Sequence, residues 1–159
     1  MSNVPFRQVR AVFDDETITV YQAYSPAIAV PAAATGTFRG TPFKIERMTW
    51  IKPSFLWMMY RCGWAGKEGQ EHVLTIRMSR AGFESALSSA ALSHFEPGTY
   101  ANHDEWLARK AASPVRVQWD PERGPALEER RRRPELLPDE KPYPLPDHVA
   151  KIVGADRKG

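Results

Sequence analysis

The sequence predicts a single α+β domain in which a small mixed sheet packs around a buried apolar helix at residues 53–62. Two observations lead to this prediction. Short segments with strand alternation are interleaved with segments of helical spacing, and the stretch 47–64 (RMTWIKPSFLWMMYRCGW) holds three of the five tryptophans. A chain of 159 residues, 42% of them hydrophobic, is long enough to bury one core.

Four short segments have the composition of strands. Residues 17–23 (TITVYQA) and 72–78 (HVLTIRM) place apolar side chains at alternate positions, as do residues 115–119 (VRVQW). Residues 47–51 (RMTWI) lead up to Pro53, and the residue before a proline favours extended backbone. We therefore expect a strand in each of the four segments.

The helix at residues 53–62 is the element that the sheet is expected to bury. Pro53 suits the first helical turn and Gly63 suits the end of the helix. Residues 55–59 are consecutively apolar, so the apolar surface should wrap most of the circumference, as in a core helix.

Two further helices and one short helical segment are expected. Residues 80–95 follow Ser79, a suitable N-cap, and residues 103–112 show helical spacing. After Pro26 the alanine-rich segment should form at most one or two turns ending at Gly36, because Pro31 would break a longer helix.

The composition changes after residue 120. Eight of the fourteen prolines lie between Pro114 and Pro146, and residues 130–133 are four consecutive arginines. We expect a globular domain at residues 1–121 and an extended or partly disordered tail at 122–159, with one or two last helical turns in DHVAKIV.

The charge and the cysteine content limit the possible classes of function. The formal net charge is +3 and the pI is about 9.1, which only weakly favours a nucleic-acid partner. One cysteine, Cys62, excludes an internal disulfide, and the four histidines lack metal-ligand spacing, so no metal is expected. No signal peptide is recognisable and no apolar run approaches a membrane span, so a soluble cytoplasmic protein is expected.

Three blocks of the sequence resemble a known family. They read VRAVFDDETITVYQAY, RMTWIKPSFLWMMYRCGWAGKEGQEHVLTI and SPVRVQWDPER. They resemble the uncharacterised family named domain of unknown function 4291, over roughly residues 7–123, and this resemblance implies no established activity. It implies a further strand and a C-terminal helix after the third block, whereas this chain continues into a segment without a strand pattern.

The order of the segments is similar to that of ADP-ribosyltransferase-like domains, which use NAD. Such domains present a His or Arg on a first strand, a Ser or Tyr near a strand–helix junction and a Glu or Gln just before a later strand. Here Tyr21 or Gln22, then Ser54, then Gln70 or Glu71 occupy comparable places, without the usual His or Arg. This analogy of order implies NAD as the leading cofactor candidate and Glu71 and Gln70 as the catalytic candidates.

The chemistry of such a site needs donors that hold the nicotinamide ribose and a carboxylate that stabilises oxocarbenium-like charge. The ligand-binding candidates are polar, cationic or aromatic residues near the predicted junctions: Tyr21, Gln22, Arg47, Trp50, Lys52 and Ser54. The alternative is ordinary structure, with Tyr21 half-buried in a strand, Ser54 in a helical turn and Glu71 exposed. The sequence leaves open whether the protein is an enzyme.

A non-enzymatic interaction module is the second hypothesis. Cations interleaved with aromatic rings suit nucleotides or single-stranded nucleic acid, because stacking and phosphate neutralisation act together. Residues of these two types cluster in and after the central stretch: Arg47, Lys52, Arg61 and Lys67, with Trp50 and Trp64. The alternative is that the charges are solvated and the tryptophans belong to the core.

Overall fold

A computed structural model describes residues 7–120 and 137–155 of the chain. Within these residues helices and short strands alternate, which confirms the α+β class. The described residues group into two compact units. Unit 1 contains residues 7–18, 78–120 and 141–155, and unit 2 contains residues 19–77 and 137–140.

The described strands are short and pair only in twos. In chain order they are β1 (Arg10–Ala11), β2 (Thr17–Tyr24), β3 (His72–Ser79), β4 (Ala90–Leu92), β5 (Val115–Val117) and β6 (Lys141–Pro142). The described residues form three two-stranded sheets, β1 with β6, β2 with β3 and β4 with β5, instead of one mixed sheet. β1 and β6 are antiparallel, whereas β4 and β5 are parallel.

The described helices are likewise short. They are α1 (Pro26–Thr35), α2 (Phe55–Arg61), α3 (Arg80–Ser88), α4 (His103–Ala112) and α5 (Asp147–Val153). The helix predicted at residues 103–112 is confirmed with the same bounds. Its N-cap Asn102 accepts a hydrogen bond from the Glu105 backbone N–H at 2.8 Å, which is a signal carried entirely by local sequence.

In unit 2 the central helix is shorter than predicted. α2 begins at Phe55 because the Ser54 hydroxyl accepts a hydrogen bond from the Trp57 N–H at 3.4 Å. Of its side chains only Leu56 and Met58 are buried, and Tyr60 is 48% exposed. The buried face of α2 is therefore narrower than its run of apolar residues predicted.

The strand predicted at residues 47–51 is wrong. Residues 47–49 and 51 are exposed, so the segment offers no buried face of the kind that stabilises a strand. Only Lys52, just beyond it, forms an isolated antiparallel bridge, and its partner is Tyr21. Residues 47–51 themselves form a loop.

The predicted limit on the alanine-rich helix is also wrong. α1 runs through Pro31 for ten residues, longer than one or two turns. One proline removes a single backbone hydrogen bond, and the helix ends as expected at Gly36. Gly36 has a φ of 74° and donates its N–H to the Ala32 carbonyl at 2.8 Å.

In unit 1 one apolar cluster is centred on Tyr143 of the segment after β6. Its ring meets Phe13 edge-on at 5.1 Å and Phe83 at 5.6 Å. The Tyr143 hydroxyl accepts a hydrogen bond from Arg80 Nε at 3.0 Å, and Ala11 and Ile18 are buried in the same cluster. This cluster joins the beginning and the end of the described chain.

A second cluster of unit 1 surrounds the carboxyl end of β4. Trp106 of α4 donates its indole N–H to the Leu92 carbonyl at 2.9 Å. Tyr100 accepts the Leu92 N–H on its hydroxyl at 2.9 Å. Both rings are buried. Tyr100 and Trp106 therefore provide hydrogen-bond partners for the backbone of β4 and also pack against its apolar side chains.

The helix predicted at residues 80–95 is wrong beyond Ser88. Ala90, Ala91 and Leu92 form β4 and are buried on both faces, as a short parallel strand requires. Three apolar residues after two serines carry too weak a signal to separate a buried strand from a helix end. The strand predicted at 115–119 is confirmed only over Val115–Val117.

The C-terminal segment is described only in part. β6 and α5 are regular elements of unit 1, although the sequence showed no strand pattern near β6. β6 escaped prediction because it has two exposed residues, one of them a proline. The arginine run at 130–133 lies outside the described residues, and the proposed boundary at residue 121 stays a prediction.

Tyr143→Phe is expected to reduce the loss of stability at alkaline pH. Burial raises the pKa of Tyr143 above its usual 10.0, although the hydrogen bond from Arg80 acts in the opposite direction. The folded protein therefore holds the phenol proton more tightly than the unfolded chain. This stabilisation is complete below the unfolded pKa and is lost as the pH rises through the folded pKa.

Urea denaturation at a series of pH values between about 9 and 11.5 measures this effect. The free energy of unfolding should fall more steeply for the wild type than for Tyr143→Phe. Tyr60→Phe removes an exposed tyrosine and should keep the wild-type slope. Equal slopes for wild type and Tyr143→Phe would contradict the prediction.

Candidate functional site

A cleft of about 380 Å³ lies in unit 2. Its lining comes from the end of β2 and the start of α1, from the loop at residues 42–50, from Met58 and Arg61 of α2, and from Gly69 and Gln70. The volume falls at the small end of the range found for ligand sites. The cleft is therefore the candidate site of this unit.

The charges that line the cleft are all positive. Lys44, Arg47 and Arg61 are among the lining residues, and no carboxylate is. A cleft with cations of one sign concentrates the positive potential and attracts anions. The lining is therefore suited to an anionic ligand.

Arg61 and Trp50 form a stacked pair in the lining. The guanidinium carbon of Arg61 lies 5.1 Å from the centre of the Trp50 ring, within the range of a cation–π contact. Arg61 is the last residue of α2, so the helix positions the cation and the loop positions the ring. The pair combines a flat aromatic surface with a cationic guanidinium group.

A polar contact joins the loop to β2 on the cleft surface. The hydroxyl oxygens of Tyr24 and Thr49 lie 2.7 Å apart, and Gln22 Nε2 donates to the Thr49 hydroxyl at 3.4 Å. The Tyr24 ring meets Phe38 and Phe43 edge-on at 5.6 and 5.7 Å. These contacts hold the phenol of Tyr24 in one orientation.

Tyr24 is a neutral donor at physiological pH. Burial raises the pKa of Tyr24 above 10.0, and the hydrogen bond with Thr49 opposes this shift without cancelling it. The phenol therefore adds no negative charge to the cleft. It presents a hydroxyl among cations.

A left-handed turn follows α2 and leads back to the cleft. Gly63, Trp64 and Ala65 have φ values of 61°, 55° and 65°, a conformation that costs a non-glycine residue about 1–2 kcal/mol. The Trp64 N–H donates to the Met59 carbonyl at 2.7 Å, and the Ala65 N–H donates to Cys62 Sγ at 3.4 Å. The buried thiol thus helps to hold the turn between two parts of the lining.

The cleft brings together four of the residues predicted from the sequence. They are Arg47, Trp50, Arg61 and Gln70. Trp64 is 53% exposed on the turn after α2, and neither it nor Lys67 belongs to the lining.

Four other candidates lie outside the lining and have structural contacts. Tyr21 and Lys52 exchange backbone hydrogen bonds of 2.8 and 3.0 Å, the buried Gln22 supports Thr49, and Ser54 caps α2. The N-terminal end of α2 already receives a carboxylate, because Glu140 accepts the Phe55 N–H at 2.9 Å. Burial and the negative charge of Glu140 both raise the pKa of Tyr21.

Glu71 stands next to the lining rather than in it. Its Oε1 accepts the Gly69 N–H at 3.0 Å. Its Oε2 is buried and has no hydrogen-bond partner within residues 7–120 and 137–155. Buried oxygens without a hydrogen-bond partner are rare in folded proteins, and a catalytic role is one of the known reasons for them.

The sequence did not single out Tyr24, Phe43, Lys44 or Thr49, all of which line the cleft. The signal that was available is the interleaving of cations with aromatic residues from Phe43 to Trp50. Tyr24 carried no such signal, since it reads as one more aromatic residue of a strand.

Two features are absent from the described residues. No described helix has the length and apolar character to cross a membrane. No group of three or more potential metal ligands of the types His, Cys, Asp and Glu occurs within the described ranges.

Comparison with known proteins places the chain in one family. No curated protein and no solved structure matches the sequence. The sequence profile of the family described as domain of unknown function (DUF4291) matches residues 8–134, most of the chain. This match agrees with the three sequence blocks and with their positions. The chain therefore belongs to the DUF4291 family.

Proposed function

We propose that the cleft of unit 2 binds a nucleotide, with NAD as the leading candidate. The observation that supports this proposal is the joint presence of three cations, no carboxylate and three aromatic rings in one lining. Phosphate groups need cations and hydrogen-bond donors, and a base or nicotinamide ring needs a flat apolar surface. The cleft offers both within one small volume.

Arg47 and Arg61 are the proposed phosphate ligands, because guanidinium groups bind phosphate oxygens in a bidentate way. Trp50 offers the flat surface, since Arg61 holds its ring in place. A volume of about 380 Å³ suits a mononucleotide-sized part of a ligand. The remainder of a dinucleotide would extend beyond the cleft.

The finer proposal is ADP-ribosyl transfer from NAD. In this reaction the bond between nicotinamide and C1′ of the ribose breaks, and nicotinamide leaves with the electron pair. An acceptor nucleophile or water then bonds to C1′ and loses its proton. Gln70 in the lining would orient the ligand, and the buried Glu71 Oε2 would stabilise the positive charge at C1′.

The alternative is a non-enzymatic module that binds single-stranded nucleic acid or a protein. One observation favours it: Ile45 is 86% exposed and Met48 is 57% exposed, on the same loop as Lys44 and Arg47. Exposed apolar side chains between cations are typical of interaction surfaces. This loop, rather than the interior of the cleft, would then make the contact.

Arg47→Gln is expected to weaken nucleotide binding. The variant removes a charged donor to phosphate, so the dissociation constant for NAD or ADP should rise roughly 10- to 100-fold, as measured by calorimetry. Wild-type affinity should fall with added salt. Arg77→Gln makes the same charge change at an exposed position of β3 outside the lining and should bind as the wild type does.

Two results would count against nucleotide binding. Equal affinities for Arg47→Gln and Arg77→Gln would show that the cleft is not the site. Salt-sensitive binding of single-stranded RNA in the absence of any NAD or ADP binding would favour the interaction module instead.

Glu71→Gln tests the transfer reaction separately. It removes the charge and keeps the shape, so nicotinamide release from NAD should fall roughly 100-fold or more, while NAD affinity changes only a few-fold. Chromatography of released nicotinamide is the measurement. Glu68→Gln, at an exposed position of the same turn, should keep wild-type release. Absence of nicotinamide release from the wild type would eliminate the transfer proposal and leave nucleotide binding intact.

A further inference from the structure

The hydroxyls of Tyr24 and Thr49 form a pair whose protons can be counted. Their oxygens lie 2.7 Å apart, and either can be the donor. The pair has two hydroxyl protons, and their mutual hydrogen bond uses one of them. Thr49 also accepts from Gln22, which uses an acceptor position and no hydroxyl proton. One proton of the pair therefore remains, whichever residue donates to the other.

Among the described residues, no protein acceptor takes this remaining proton. Within the part of the chain that the structure describes, Tyr24 and Thr49 make no other side-chain hydrogen bond. Both residues line the cleft, so the proton is available to a ligand there. The ring contacts of Tyr24 with Phe38 and Phe43 keep the donor in place.

We infer that the Tyr24–Thr49 pair donates one hydrogen bond to a phosphate oxygen of the ligand and makes the cleft selective for phosphorylated nucleotides over nucleosides. The inference rests on the proposed nucleotide binding and names the group that the pair recognises. In a lining whose charges are positive, an anionic oxygen is the best acceptor for this neutral donor. Hydrogen bonds to charged acceptors are roughly twice as strong as hydrogen bonds between two neutral groups. Lys44 and Arg47 of the same lining attract the phosphate.

This proton count predicts how variants of the pair should bind the ligand. In Tyr24→Phe the Thr49 hydroxyl loses its partner and keeps a proton for the ligand. In Thr49→Val the Tyr24 hydroxyl does the same. Each single variant therefore retains one donor, whereas the double variant Tyr24→Phe/Thr49→Val has none. The two effects should be strongly non-additive.

Calorimetry with inorganic pyrophosphate, ADP and adenosine tests the inference on the full chain. Each single variant should weaken pyrophosphate and ADP binding by less than about 3-fold, and the double variant by more than roughly 10-fold. Adenosine binding should not change. Tyr24→Phe/Thr49→Ser keeps one hydroxyl and should behave as Tyr24→Phe does. Tyr60→Phe/Thr75→Val, at exposed positions outside the lining, is the matched control.

Thermal unfolding of each variant confirms that it is folded, and Tyr24→Phe/Thr49→Ala replaces the double variant if that one is not. Wild-type pyrophosphate affinity in the double variant, or a loss equal to the product of the single losses, would overturn the inference. If Arg47→Gln still weakens binding in that case, nucleotide binding stands and only the role of the pair fails. If no variant affects binding, or the wild type binds neither pyrophosphate nor ADP, nucleotide binding in the cleft fails as well.

Discussion

The backbone hydrogen bonds between Tyr21 and Lys52 are the constraint on which the cleft depends. Tyr21 N–H donates to the Lys52 carbonyl at 2.8 Å, and Lys52 N–H donates to the Tyr21 carbonyl at 3.0 Å. With Lys52 held against β2, the preceding loop can place the Thr49 hydroxyl beside Tyr24. Two residues later Ser54 caps α2, and the last residue of that helix, Arg61, supplies a cation to the lining. The Tyr21–Lys52 bridge thus fixes the positions of both the loop and α2, which line the cleft.

In unit 2 a negative charge lies at the start of α2, and positive charges line the cleft. The carboxylate of Glu140 accepts a hydrogen bond from the first residue of α2, Phe55, where the helix dipole favours negative charge. That helix end therefore already has an anionic partner from the chain itself. The charged residues that line the cleft are all cations. An external anion is therefore better accommodated in the cleft than at the start of α2.

Prediction succeeded where the signals are local. The helix at residues 103–112 was obtained with its bounds because its helical spacing is complete within three turns. β3 was found because its alternation runs over seven residues. β4 was missed, since what makes Ala90–Leu92 a strand is its pairing with β5, more than twenty residues away. No pattern within Ala90–Leu92 records that partner.

The same distinction applies to the site. The sequence by itself determined the family, the α+β class and the concentration of cations and aromatic residues around Trp50. Only the tertiary structure decided that Arg61 stacks on Trp50, that Thr49 meets Tyr24, and that Ser54 and Lys52 have structural partners instead. The physical reason is that composition and periodicity are properties of neighbours along the chain, whereas a cleft is made by backbone pairing between segments far apart in sequence.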